Sequence, residues 1–136
     1  MRIFICSSKS FYGQVLKIKQ RLEVFGHKIT LPNSFEDPFK EEKMKKVSKE
    51  AHVKWKSEKL KLQTKKVNEN EAILVLNLEK KGIPNYIGGA TFLEIFKGWE
   101  LNKKIFLYNP LPSCSFTDEL TAMKPIILNG NLRDLK

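Results

Sequence analysis

The stretch Ala72-Ile-Leu-Val-Leu76 constrains this chain most, because it is a continuous apolar run of strand length. A strand apolar at every position needs cover on both faces, as the central strand of a parallel sheet has, whereas a half-buried strand would alternate. The run is far too short to cross a bilayer, and nowhere does the chain approach the roughly 18 apolar residues that a membrane span requires. No membrane partner is expected.

The flanking segments supply the rest of such a sheet. Arg2-Ile-Phe-Ile-Cys6 reads as a first buried strand running into a serine loop. Over residues 11–25, Val15, Leu16, Ile18, Leu22 and Phe25 recur at helical spacing, and Gly26 follows as a stop. Residues 28–31 form a short strand closed by Pro32. The longest element spans residues 39–68, where Met44, Val47, Ala51, Trp55 and Leu62 keep a three-or-four-residue rhythm; it is one helix, or two broken near Ser57. After the central strand come a loop over 77–90 with four Gly or Pro residues, a helix over 92–102 and a strand over 105–108. A short helix near 116–123 and an apolar stretch over 126–128 close the chain. Alternation of strand and helix implies right-handed crossovers and a parallel sheet with helices on both faces. The expected fold is therefore a single-domain α/β three-layer sandwich, flavodoxin-like or Rossmann-like, with a five-stranded parallel sheet in the order 2-1-3-4-5. Ligands bind such sheets beyond the carboxyl ends of the strands, at the switch point between strands 1 and 3. That places residues 7–13 and 77–91 around any site.

Charge narrows the ligand. The net charge of +10 divides into about +4 over residues 1–40, about +5 over 41–70 and about +1 beyond. Such a balance favours an anionic ligand. The lysines between Lys43 and Lys66 are interleaved with Glu41, Glu42, Glu50 and Glu58, the pattern of a solvated helix face, which disfavours nucleic acid. The two cysteines, Cys6 and Cys114, have no metal-ligand or redox spacing, so no metal or cofactor is expected and Cys6 is read as a small buried hydrophobe. The first strand lacks the apolar length of a signal peptide, and a cytoplasmic location is expected.

Two loops carry candidate chemistry. Ser7-Ser-Lys-Ser-Phe-Tyr-Gly13 opens the first helix, so Ser7, Ser8, Lys9, Tyr12 and Gly13 are candidates to hold a phosphate, unless Ser10 merely caps the helix. In Gly88-Gly-Ala-Thr-Phe-Leu-Glu94, Thr91 and Glu94 have the spacing of a capping box, in which the glutamate serves only the helix start. The alternative rests on position: Gly88 and Gly89 permit close approach of a ligand at the binding end of the sheet, with Asn85 and Tyr86 beside them. On the long helix, His52, Trp55 and Lys56 are placed to flank a base or sugar, against the stronger reading that Trp55 belongs to the apolar stripe.

The third strand, the glycine loop, the helix opening Phe-Leu-Glu-Ile and the run Leu101-Asn-Lys-Lys-Ile-Phe-Leu107 together resemble the nucleoside 2-deoxyribosyltransferase-like family, which includes transferases that exchange bases on deoxyribose and hydrolases of deoxynucleoside monophosphates. The resemblance implies a cytoplasmic N-glycosidic-bond enzyme of nucleotide metabolism, acting on a nucleoside or nucleotide by a retaining mechanism with Glu94 as nucleophile. It also implies substrate contacts from the first loop, from Asn77 after the third strand and from the glycine loop, and a homo-oligomer in which neighbouring subunits complete each pocket. Asn77 and Gly88 stand where the transferases have aspartates. Gln63 or Thr64 stands where the hydrolases have a second acid, the nearest acids being Glu58 and Glu69. Two other functions fit the same residues: a non-catalytic nucleotide-binding or sensor module, and a nucleic-acid-binding protein that uses the lysine-rich helix.

Overall fold

Alternation along the central strands sorts the core into two layers. A computed structural model of the chain describes residues 1–136. Strand β1 (Arg2–Cys6) pairs in parallel with β3 (Ala72–Val75), Ile3 opposite Ala72 and Cys6 opposite Val75. Ile3, Ile5, Ala72, Leu74 and Leu76 point to one side, where they pack with Val15, Ile18 and Leu22. Phe4, Cys6, Ile73 and Val75 point to the other, where they pack with Val67, Ile95 and Leu120. The uninterrupted apolar run is thus two interleaved half-faces, each buried under its own helices.

Strand β2 (Lys28–Thr30) lies outside β1, while β4 (Lys104–Leu107) and β5 (Ile126–Ile127) extend the sheet beyond β3. The five strands are all parallel in the order β2-β1-β3-β4-β5, which is the flavodoxin-like topology expected from the sequence. Helix α1 (Tyr12–Val24) buries Val15, Ile18 and Leu22 on one face. Gly26 follows it with a φ of 91°, in the left-handed region that favours glycine at a helix end. No helix is long and apolar enough to cross a membrane.

The long element departs from expectation. It is two helices, α2 (Lys40–Val47) and α3 (Lys49–Glu69), and the break falls at Ser48, not near Ser57. Ser48 is extended, and its hydroxyl accepts a hydrogen bond from the Ala51 N–H at 3.0 Å, so this residue caps the second helix rather than continuing the first. None of the five apolar residues of the expected stripe is buried; α3 buries only Gln63 and Val67.

Helix α4 (Gly89–Glu100) begins three residues earlier than its periodicity suggests, and α5 (Thr117–Ala122) is short. Gly98 is a packing requirement of α4, since a Cβ there would lie 2.4 Å from Ile73 Cδ1, in a side chain with no solvent exposure. A Gly98→Val substitution is therefore expected to overpack the α4–β3 contact and lower stability by roughly 1–3 kcal/mol. The measurement is the urea midpoint, which should fall with no change in slope.

Candidate active site

The cleft is built from loops and helices that the sheet order brings together, among them the loop after β2 with Pro32, Asn33, Ser34 and Pro38. The loop after β1 contributes Ser7, Ser8 and Lys9, and α1 contributes Tyr12. The loop after β3 and the start of α4 contribute Lys80, Tyr86 and Gly88 to Thr91, with α3 as the facing wall. Together they enclose about 300 Å³ at the carboxyl ends of β1 and β3. Of the sequence-expected residues, Ser7, Ser8, Lys9, Tyr12, Tyr86, Gly88, Gly89, Thr91 and Glu94 all line this cleft.

Gly13, Asn77 and Asn85 do not. Gly13 is exposed in the first turn of α1. Asn77 is fully buried, and its side chain is committed to the backbone of the β4–α5 loop: it donates to the carbonyls of Asn109 and Pro110, both at 2.9 Å, and accepts from the Asn109 N–H at 2.8 Å. Asn85 has a φ of 55°, a left-handed backbone that asparagine tolerates better than most residues. It serves the loop's path.

Glu94 sits at the cleft floor. The N-cap of α4 is Gly88, which offers no side-chain bond, so Thr91 is the third helical residue and Glu94 falls in the second turn, facing inward. The capping-box expectation is overturned: glycines at 88 and 89 let the helix start early, and Glu94 lies too deep in the helix to reach back to its free N–H groups. Its side chain instead meets Cys6, which leaves β1 on the same face of the sheet, and Gln63 from α3. Burial pushes the Glu94 carboxyl up to about 8, against hydrogen bonds from the Gln63 amide and the Cys6 thiol and the positive charges of Lys66 and Lys56. Burial likewise raises the Cys6 thiol well above the ordinary range and pushes the Tyr12 hydroxyl up to about 12. Gln63 is held in place by its own bond, donating to the Ala90 carbonyl at 2.6 Å.

Two walls carry positive charge. On one, Lys80 Nζ lies 4.7 Å from the Tyr86 ring centroid and 3.5 Å from Ser8 Oγ, with no carboxylate partner. A tight hairpin sets this wall, closed by reciprocal backbone bonds between Lys80 and Ile83 at 3.0 and 2.9 Å. Gly88 leaves room for the Tyr86 hydroxyl, which would lie 3.3 Å from a Cβ there. Ser7 Oγ is enclosed and has no protein partner. On the other wall, α3 presents Trp55, Lys56, Lys59 and Gln63 along one stripe. Glu41 of α2 joins it by accepting from His52 at 2.9 Å and from Lys56 at 3.2 Å. Partial burial acts to raise the Glu41 carboxyl, but the bonds from His52 and Lys56 bring it below the usual range. Lys9 is paired with Glu42.

Sequence reasoning missed Lys59, Lys80 and Glu41 as cleft residues. The spacing from Trp55 through Lys59 to Gln63, one helical face, was a usable signal for Lys59; nothing local marked Glu41 or Lys80. No cluster of His, Cys, Asp and Glu side chains suited to a metal ion is present.

Fold and cleft define an α/β protein of flavodoxin-like topology with a basic cleft at the switch point of its sheet. No family model matches the chain, and no curated protein or solved structure matches it either.

Proposed function

We propose that the protein cleaves or exchanges the N-glycosidic bond of nucleosides or nucleotides by a retaining displacement with Glu94 as nucleophile. The observation that carries this reading is a carboxylate freed from helix capping and held at the floor of a lysine-lined cleft. The likeness of residues 72–107 to the nucleoside 2-deoxyribosyltransferase-like family supports the same role. In the reaction, a Glu94 carboxylate oxygen bonds to the anomeric carbon as the carbon–nitrogen bond breaks, and the electron pair leaves with the base. Gln63 is an amide and holds no transferable proton, so the departing base takes its proton from water. Water or a second base then attacks the same carbon and restores the carboxylate. The carboxylate lies beside Cys6 and Gln63, and burial, which strips it of water, makes its ionised form reactive.

The test is release of free base by pure protein from a panel of deoxynucleosides and their 5′-monophosphates. Release from at least one is expected; none across the panel overturns the reading. One observation favours a second function: the side chain facing Glu94 from α3 is an amide, Gln63, and neither Gln63 nor Thr64 supplies the second acid that hydrolases of the family this chain resembles have there. That is the arrangement of a nucleotide-binding module without turnover, which would bind the same panel and keep binding as Glu94→Gln.

A further inference from the structure

We infer that Trp55 is the platform on which the ligand's base stacks, so that α3 holds the leaving group while the β1 and β3 loops hold the remainder. The inference deepens the nucleotide reading above and rests on it. An indole on a three-or-four-residue apolar rhythm is ordinarily a core residue, and Trp55 is not: it belongs to neither core cluster, nor to the partly buried residues packed against them. It lines the cleft instead, half-buried, on the stretch of α3 that buries nothing beneath it.

Its neighbours are polar and ordered. The His52 ring lies 6.3 Å from the indole at an interplanar angle of 24°, and the Nζ atoms of Lys56 and Lys59 lie 5.9 and 5.8 Å from its centroid. Each of these three is tied down. Glu41 holds His52 and Lys56, and Lys59 donates to the Asn33 carbonyl at 3.1 Å while Asn33 Nδ2 donates back to the Lys59 carbonyl at 3.0 Å. An aromatic surface kept in place inside a cleft, with cations around it and no core against it, suits a flat π-system carrying negative charge elsewhere in the molecule. The opposite wall fits that negative charge, because Lys80 is unpaired there and Ser7 Oγ lacks a partner. This polarity also leaves the sugar over Glu94, which is buried between the two walls.

The chain has two tryptophans, so Trp99→Phe leaves Trp55 as the only indole. In that variant, the four deoxynucleoside 5′-monophosphates are expected to quench indole emission saturably, and deoxyribose 5-phosphate and inorganic phosphate to leave it unchanged. Calorimetry on the otherwise unaltered chain should then find nucleotide affinity lowered about tenfold or more by Trp55→Ala, and largely recovered in Trp55→Phe. Nucleotide binding with unchanged emission, equal quenching by the sugar phosphate, unaltered affinity in Trp55→Ala, or no binding at all would each overturn the stack. Failures of the two proposals are separable. Base release with an unaltered KM in Trp55→Ala removes the platform and keeps the reaction. Base-dependent quenching without base release removes the reaction and keeps the platform.

Discussion

Glu94→Gln is expected to abolish base release while making the protein more stable at pH 8. The two effects share one cause. In the folded chain the Glu94 carboxyl titrates near 8, whereas in the unfolded chain it titrates near 4.5. Between those values the native state holds a proton that the unfolded state has lost, so stability falls as pH rises from about 4.5 and the loss is complete just above 8. The wild-type chain thus carries a penalty of a few kcal/mol at pH 8, on the order of 1.4 kcal/mol for each unit of the shift. Glutamine has nearly the same shape, keeps hydrogen-bonding capacity toward Gln63 and Cys6, and carries no charge to bury. Its melting temperature should exceed the wild type's by roughly 10 °C at pH 8, with the difference vanishing near pH 4.5. Turnover should fall about 10³-fold or more, because an amide does not replace the attacking carboxylate. Equal loss of stability and activity would instead mean that Glu94 is ionised and paired in the native state, as a structural residue.

The fold was legible where a local pattern has one structural solution. A strand apolar on every residue has to lie inside a covered sheet, and the helical rhythms on either side of it left little choice of topology. Periodicity could not locate the break at Ser48, since a serine that ends one helix and caps the next interrupts no apolar spacing and needs neither Gly nor Pro. Nor does a rhythm say what covers the stripe. The residues from Met44 to Leu62 keep helical spacing, yet α3 meets the core only at its far end, and Trp55 faces the cleft. In the glycine loop the reverse error arises: Asn77 has the right position for a ligand, but its side chain is consumed by residues 109 and 110, a pairing set by the return of the chain through β4. Thr91 and Glu94 show how a short motif misleads when the helix begins elsewhere. With the start moved to Gly89, the same spacing turns a cap into a buried acid.

Burial of that acid sets the pH dependence of the proposed reaction. Well below pH 8 the ionised fraction of Glu94 falls about tenfold for each pH unit, so kcat/KM is expected to climb about 50-fold from pH 6 to pH 8 and to level within about a unit above it. The groups facing Glu94 leave this limb to it alone. Cys6 on β1 and Tyr12 on α1 are both raised by burial and keep their protons through the range, and Gln63 on α3 does not titrate. Lys56 and Lys66, also on α3, favour the ionised form. Burial, followed by the charge of Lys59, lowers Lys66 from the usual lysine value, so removing it as Lys66→Met takes away a cation that holds Glu94 down and should move the rising limb to higher pH. The direction of the limb decides the role of the residue. A rate that rises through pH 8 requires the carboxylate and fits attack on the anomeric carbon. One that falls through the same value requires the protonated acid, and would make Glu94 the proton donor to the leaving base.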